Sequence, residues 1–307
     1  MASNNTYSEC GEEYYGLDEL IIRSVAILIC MFGLVGNGYV FWLLGFTIKR
    51  NPFTTYILNL AAADFSVAMF LSLRLILVLA DSFGGLSYQA HILQIQLKYF
   101  CRFSYTASLC FRTIISMERC LSAFFPSWHQ LRRPKCLSSR LAFLVWTLSA
   151  MFYGMLISFH LHYNMTLFPV SRILFIVNIW GLPPILALFT LVLLAKICWN
   201  SRQRRPPGRL TSAIVLFLLF FLVCRGPWII AFSYCICSDQ FFYTFLAISH
   251  LLHSVDSSIK PMFYYLVGKQ DQCSSTEPLK AILWRVFQDE DYSTQEDELM
   301  GAAHLMT

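Results

Sequence analysis

Apolar residues in this chain gather in long runs, and polar residues collect between them. Seven stretches stand out: Leu20–Phe46, Thr54–Leu79, Ile92–Phe125, Leu137–Leu161, Ser171–Cys198, Leu210–Ile236 and Phe241–Val267. Breakers or charges divide them, including Asn51-Pro52, Gly84-Gly85 and Arg204-Arg205-Pro206-Pro207-Gly208. A helix needs about 20 mostly apolar residues to cross roughly 30 Å of hydrocarbon. The pattern predicts an all-α chain, a seven-transmembrane-helix bundle over residues 20–268. A polar segment precedes it at residues 1–19, and a tail with a short amphipathic helix follows at 269–307.

Composition agrees with a membrane class. The chain is 57% hydrophobic and 13% charged, with a mean hydropathy of +0.56, more apolar surface than a soluble domain can hide. Residues 1–19 carry Glu9, Glu12, Glu13, Asp18 and Glu19 and no Lys or Arg, so the first apolar stretch is expected to act as an uncleaved targeting signal. The net charge of +5 does not point to nucleic acid, because the basic residues sit beside the spans. Lys49 and Arg50 follow the first span; Arg132, Arg133, Lys135 and Arg140 lie between the third and fourth. Lys196, Arg202, Arg204, Arg205 and Arg209 join the fifth and sixth, and Lys269, Lys280 and Arg285 follow the seventh. The alternate connections, 80–91, 162–170 and 237–240, contain neither Lys nor Arg. The positive-inside rule then predicts an extracellular N-terminus and a short cytoplasmic tail. Asn4-Asn5-Thr6 and Asn164-Met165-Thr166 are glycosylation acceptors, and both fall on the predicted outer side.

Polar groups inside a bilayer cost several kcal/mol unless partnered, so they mark function. The first span has Gly36-Asn37, the second Asn59-Leu60-Ala61-Ala62-Ala63-Asp64 and the fourth Trp146. The third ends in Glu118-Arg119-Cys120, and the fifth holds Pro183-Pro184. The sixth holds Phe221, Cys224 and Pro227, and the seventh Pro261 and Tyr264. Seven landmarks in order, one per span, resemble the rhodopsin-like receptors. Longer strings narrow this: Arg50-Asn51-Pro52-Phe53, Tyr56–Asp64, Glu118-Arg119-Cys120-Leu121-Ser122, Phe125-Pro126, Arg133-Pro134, Tyr265-Leu266-Val267-Gly268 and Val286-Phe287-Gln288-Asp289 resemble the Mas-related G-protein-coupled receptor family.

The resemblance implies a plasma-membrane receptor that takes an extracellular ligand and couples to a heterotrimeric G protein, Gq or Gi, with arrestin and membrane lipid as further partners. It implies no cofactor, metal, nucleic acid or enzymatic activity. It assigns coupling and activation to Glu118, Arg119, Phe221, Pro227, Pro261 and Tyr264, with Arg119 held by Glu118 at rest. The sixth-span base, Pro206 to Thr211, offers no second carboxylate, and Pro184 and Pro227 are expected to hinge their helices. The third-span disulfide cysteine usual in rhodopsin-like receptors, which Mas-related receptors also lose, is replaced by Gln94, and no Cys lies between Cys136 and Cys198. Cys10 with Cys235 or Cys237 is the pairing left on the oxidising side, and Cys273 is a candidate for palmitate.

The seventh span departs most. Lys260 replaces the asparagine expected before Pro261, with Asp256 four residues earlier on the same helical face and Asp64 opposite. Asn37, Asp64, Ser108, Asp256 and Lys260 therefore form a candidate intramembrane polar network, in which the ammonium stands where relatives hold sodium. Towards the outer side, Arg74, Lys98, Arg102, Arg172, Arg225 and His250 are candidates to line a ligand cavity, against Asp81, Asp239 and the acidic N-terminus. Arg74 lies ten residues beyond Asp64, about 15 Å along the helix. This surplus of cations favours an anionic ligand, although the same side chains can also reach lipid headgroups. A constitutively active, ligand-free regulator is the alternative. A transporter is disfavoured because no duplicated half is seen, and an intramembrane enzyme because His250 and His253 lack a Glu or Cys partner set.

Overall fold

The computed structural model describes residues 16–48, 51–125, 133–134, 136–163, 170, 173–174, 176–202, 208–237, 243–269 and 278–287. Every regular element among them is helical. They are α1 (Leu17–Trp42), which continues into a π turn (Leu43–Thr47), α2 (Pro52–Gly84), α3 (Tyr88–Phe124) and α4 (Leu137–Tyr163). A second π turn (Val177–Gly181) leads into α5 (Leu182–Arg202), followed by α6 (Arg209–Cys237), α7 (Tyr243–Ser258) and α8 (Lys260–Lys269). A last short helix, α9, covers 279–287.

Helix ends follow local chemistry. Asn51 caps α2: its side chain accepts from the Thr54 N–H at 2.7 Å, and Thr54 Oγ1 accepts from the Asn51 N–H at 2.8 Å. Pro52 opens the helix, where its missing N–H is no loss. Gly85, at φ 72°, closes it. Pro183 and Pro184 stand at the second and third positions of α5, directly after the wider π turn. Local widening, not a mid-helix kink, accommodates them.

The seventh predicted span is divided at Ile259. Pro261 has no N–H to give to the Ser257 carbonyl, and its ring crowds that carbonyl. The vacancy is filled from another helix: Asn37 Nδ2 on α1 donates to Ser257 O at 2.9 Å and to Gly33 O at 3.0 Å.

α2 packs between α1 and α3, α3 also meets α4 and α5, α1 meets α7, and α6 meets α8. The close approach of α1 to the seventh span requires Gly33, since a Cβ there would meet Ser258 Cβ at 2.9 Å. Gly268 does the same for α9, where a Cβ would meet Ile282 O at 2.8 Å. Ile282, Leu283, Val286 and Phe287 of α9 are consequently buried against the bundle.

Among the described residues, four helical stretches, Leu17–Thr47, Pro52–Gly84, Leu137–His162 and Leu182–Asn200, are long and apolar enough to cross a membrane by length and composition. That is fewer than the seven predicted. α3 falls short because it carries Lys98, Arg102, Arg112, Glu118 and Arg119, α6 counts only over Arg209–Val223 because most side chains after it lie outside the described residues, and α7 has 16 residues. Leu28, Phe32 and Val35 on α1, Phe143 on α4 and Leu188 and Leu191 on α5 are exposed, which suits hydrocarbon rather than water.

Gly33→Ala should therefore destabilise the bundle by about 1–3 kcal/mol, the cost of overpacking a helix contact. Gly154→Ala, where a Cβ meets nothing within 4 Å, should leave the melting temperature unchanged or raise it. Thermal denaturation of the purified protein checks both.

Candidate functional site

Four charged side chains meet inside the bundle, each brought there by a different helix. Asp64 comes from α2, Arg112 from α3, Asp256 from α7 and Lys260 from the first position of α8. Their exposures are 0%, 1%, 3% and 2%. Lys260 Nζ lies 2.7 Å from Asp64 Oδ2. The Ser108 hydroxyl donates to Asp64 Oδ1 at 2.7 Å. Arg112 Nη1 donates to both oxygens of Asp256, at 2.8 and 2.7 Å. Its Nη2 donates to Ser108 Oγ at 3.0 Å and lies 3.5 Å from Asp64 Oδ1. Two carboxylates thus face two cations, and the cluster is neutral. A lone charge at this depth carries a desolvation penalty of several kcal/mol, which only such balance offsets.

The pairing differs from the sequence expectation. Asp256 and Lys260 do not share their charges along one helix face, because the break at Ile259 separates them. Lys260 Nζ reaches Asp256 only at its backbone carbonyl, at 3.0 Å. The Asp256 carboxylate goes to Arg112, a residue the sequence reading missed. The signal was present: Ser108 and Arg112 are four residues apart and share a face.

At one end of the bundle Glu118 is clamped by Arg133, from Nε at 3.1 Å and from Nη2 at 3.2 Å. The Tyr56 hydroxyl donates to the same carboxylate at 3.2 Å. Arg119 reaches α6, where Nη1 donates to Thr211 Oγ1 at 3.2 Å, and its guanidinium lies 3.9 Å from the Phe53 ring centre. A neutral hydroxyl of the sixth-span base therefore faces Arg119. Between this end and the charge cluster, Phe221 lies 5.2 Å beneath Arg112, and buried Tyr264 packs edge-on against Phe217 and Phe287.

At the opposite end a cavity of about 230 Å³ is lined by Arg23, Arg74, Gln94, Lys98 and His250, with apolar Val78, Ile95 and Leu246. Arg74 Nη1 and His250 Nε2 are 2.9 Å apart. Arg23, which the sequence reading did not single out, lies 3.6 Å from Glu19 one turn earlier on α1. Arg102 is exposed and does not line this cavity. Arg225 sits deeper, with Nη2 3.2 Å from the Tyr105 hydroxyl and 3.1 Å from His253 Nε2. Arg172, Asn4, Asn164, Cys10 and Cys273 lie outside the described residues, as do the side chains of Pro227, Cys235 and Cys237.

No protein-family model matches the chain. Curated proteins do. The chain is 35% identical over 285 residues to Mas-related G-protein coupled receptor member D of Homo sapiens, covering 88% of this chain and 86% of that one. It is 32% identical over 283 residues to member H of Rattus norvegicus, covering 90% and 86%. Against member X2 of Homo sapiens it is 32% identical over 289 residues, covering 89% and 85%. The chain belongs to the Mas-related G-protein-coupled receptor family. It is therefore a multi-pass membrane receptor.

The charge cluster gives this receptor a measurable signature. Lys260→Asn leaves Asp64 with Ser108 and the edge of Arg112, and leaves the cluster with one excess negative charge. A small cation can restore the balance, so sodium should raise the melting temperature of the variant and not of the parent. Lys260→Ala should lower the yield of folded receptor, since breaking one side of a buried pair costs about 3–5 kcal/mol. Equal yields and no sodium response in either variant would contradict the cluster.

Proposed function

We propose that this receptor is activated at the plasma membrane by an extracellular anionic ligand and signals through a heterotrimeric G protein of the Gq or Gi type. The observation that carries the reading is the lining of the 230 Å³ cavity: three cations, Arg23, Arg74 and Lys98, and no carboxylate among the lining residues. Arginine's planar fork suits carboxylate, sulfate and phosphate groups. The basic residues flanking the spans support an orientation with this cavity outside and Arg119 inside. Asn4 and Asn164 are then available for glycosylation, and Ser293 and Thr294 of the tail for phosphorylation ahead of arrestin.

In this reading the ligand's charge draws Arg74 and Lys98 together across α2 and α3. Those helices also carry Asp64, Ser108 and Arg112, so the pull reaches the charge cluster. Release of Arg119 from Thr211 would then let α6 move and open the G-protein surface. A receptor that signals without any ligand is the competing reading, and the same assay separates the two.

Nucleotide exchange on G protein, in membranes from cells expressing the receptor, tests the proposal. Arg119→Ala should abolish exchange at equal surface expression, because Arg119 lies at the bundle end and not within the charge cluster. Arg74→Gln should weaken an acidic agonist by about 1.5–3 kcal/mol, the scale of a charge-assisted hydrogen bond. A potent cationic agonist indifferent to Arg74→Gln would overturn the anionic reading. Full exchange with no ligand present, unaffected by Arg74→Gln, would favour the constitutive one.

A further inference from the structure

Below the cavity lies a second cluster that the pairing of charges leaves unbalanced. Arg225 on α6 is 4% exposed, and no carboxylate partners it among the described residues. Within the bundle interior, Lys260 has Asp64 and Arg112 has Asp256. What Arg225 meets is the Tyr105 hydroxyl of α3 and the His253 ring of α7, and its Nε and Nη1 have no hydrogen-bond partner among the described residues.

The two histidines sharpen this picture. A guanidinium can only donate, so the Nε2 facing it must accept. His250 Nε2 faces Arg74, and His253 Nε2 faces Arg225. Both imidazoles are therefore neutral and carry their proton on Nδ1. Those two Nδ1 atoms are buried with no partner among the described residues. The sites are three residues apart on α7, about 4.5 Å along its axis. The outcome is two stacked groups of donors, Arg74–His250 above and Arg225–His253 below, and the lower one is short of an acceptor among the described residues. Tyr105 and His253 are themselves only half-buried.

We propose that Arg225, His253 and Tyr105 form a second anion-binding subsite beneath the outer cavity, and that the receptor's ligand is a dianion, such as a short dicarboxylate, bridging the two. This inference rests on the anionic reading above and specifies it. One acid group would meet Arg74, Lys98 and Arg23; the other would descend between α3, α6 and α7. There it would neutralise Arg225 and accept from its free donors. A buried charge kept without a partner lowers stability and is retained where a ligand uses it.

The test uses full-length receptor in lipid nanodiscs, with succinate, glutarate and adipate as probes and butyrate and valerate as single-acid controls. Thermal shift against probe concentration gives the apparent affinity. At least one dicarboxylate should bind roughly tenfold or more tightly than the single acids, the scale of one charge-assisted bond. Arg225→Gln should reduce that dicarboxylate to the level of the single acids and leave the single acids unchanged. Arg74→Gln should weaken both kinds. His253→Gln, which keeps the site neutral, is the second variant and should reproduce the selectivity loss in part. Without ligand, Arg225→Gln should melt at or above the parent temperature, whereas a purely structural arginine would leave the variant less stable. Equal binding of one-acid and two-acid probes, unaffected by Arg225→Gln, would overturn the second subsite and leave the anionic cavity standing. No response of the parent to any of the acids would overturn both.

Discussion

Charge neutrality inside a medium that cannot solvate charge is the constraint on which this receptor's structure depends. Asp64, Arg112, Asp256 and Lys260 come from four helical segments and are each almost wholly buried. None can be there alone. The 2.7 Å contact from Lys260 to Asp64 ties α8 to α2, and the two-oxygen contact from Arg112 to Asp256 ties α3 to α7. Ser108 joins the pairs by donating to Asp64 while accepting from Arg112. Removing any one member leaves a net charge, so the four helices are bound to one another by electrostatic necessity as well as by apolar packing.

The break at Ile259 gives this cluster its geometry. An unbroken helix would have set Lys260 one turn below Asp256 on the same face, where the two would pair locally and leave Asp64 to Arg112 alone, without the tie from the seventh span to α2. Pro261 prevents this by removing one backbone bond, and Asn37 fills the gap from α1. The lysine is then free to turn toward Asp64. The polar residues of the first and seventh spans thus act together: a proline creates the vacancy, an amide fills it, and an ammonium uses the redirected chain. The same segment holds Gly33 close to Ser258, so substitution on either side would disturb the redirection.

Much of this could be read from residue order and spacing. Helical class follows from the apolar runs, and the family from landmarks such as Asn37, Asp64, Arg119 and Pro261. Closeness of Asp64 and Lys260 followed from their places on those landmarks. Arg112 escaped because α3 is polar along its length, and attention went to Lys98 and Arg102 near its start. Asking every charged residue in an apolar span for a partner would have found Arg112, and with it Arg23, four residues after Glu19. Arg133 on Glu118 had no such signal. It lies beyond the end of α3, and only the path of the connecting chain decides where it points. The division of the cations into an outer group and a deeper one was likewise invisible in the spacing, because it depends on how α6 and α7 are turned toward α3.

The central claim is that Arg112 and Asp256 act as a bonded pair within a balanced cluster, and a double-mutant cycle measures it directly. Melting free energies of the parent, Arg112→Leu, Asp256→Leu and the variant with both changes give the coupling energy. Each single variant strands one buried charge, whereas the double variant restores neutrality. The account predicts that the double variant loses less than the sum of the two single losses, by a coupling of about 1.5–3 kcal/mol, within the range for residues in one ion-pair network. Additive losses, leaving the double variant the least stable of the four, would contradict it.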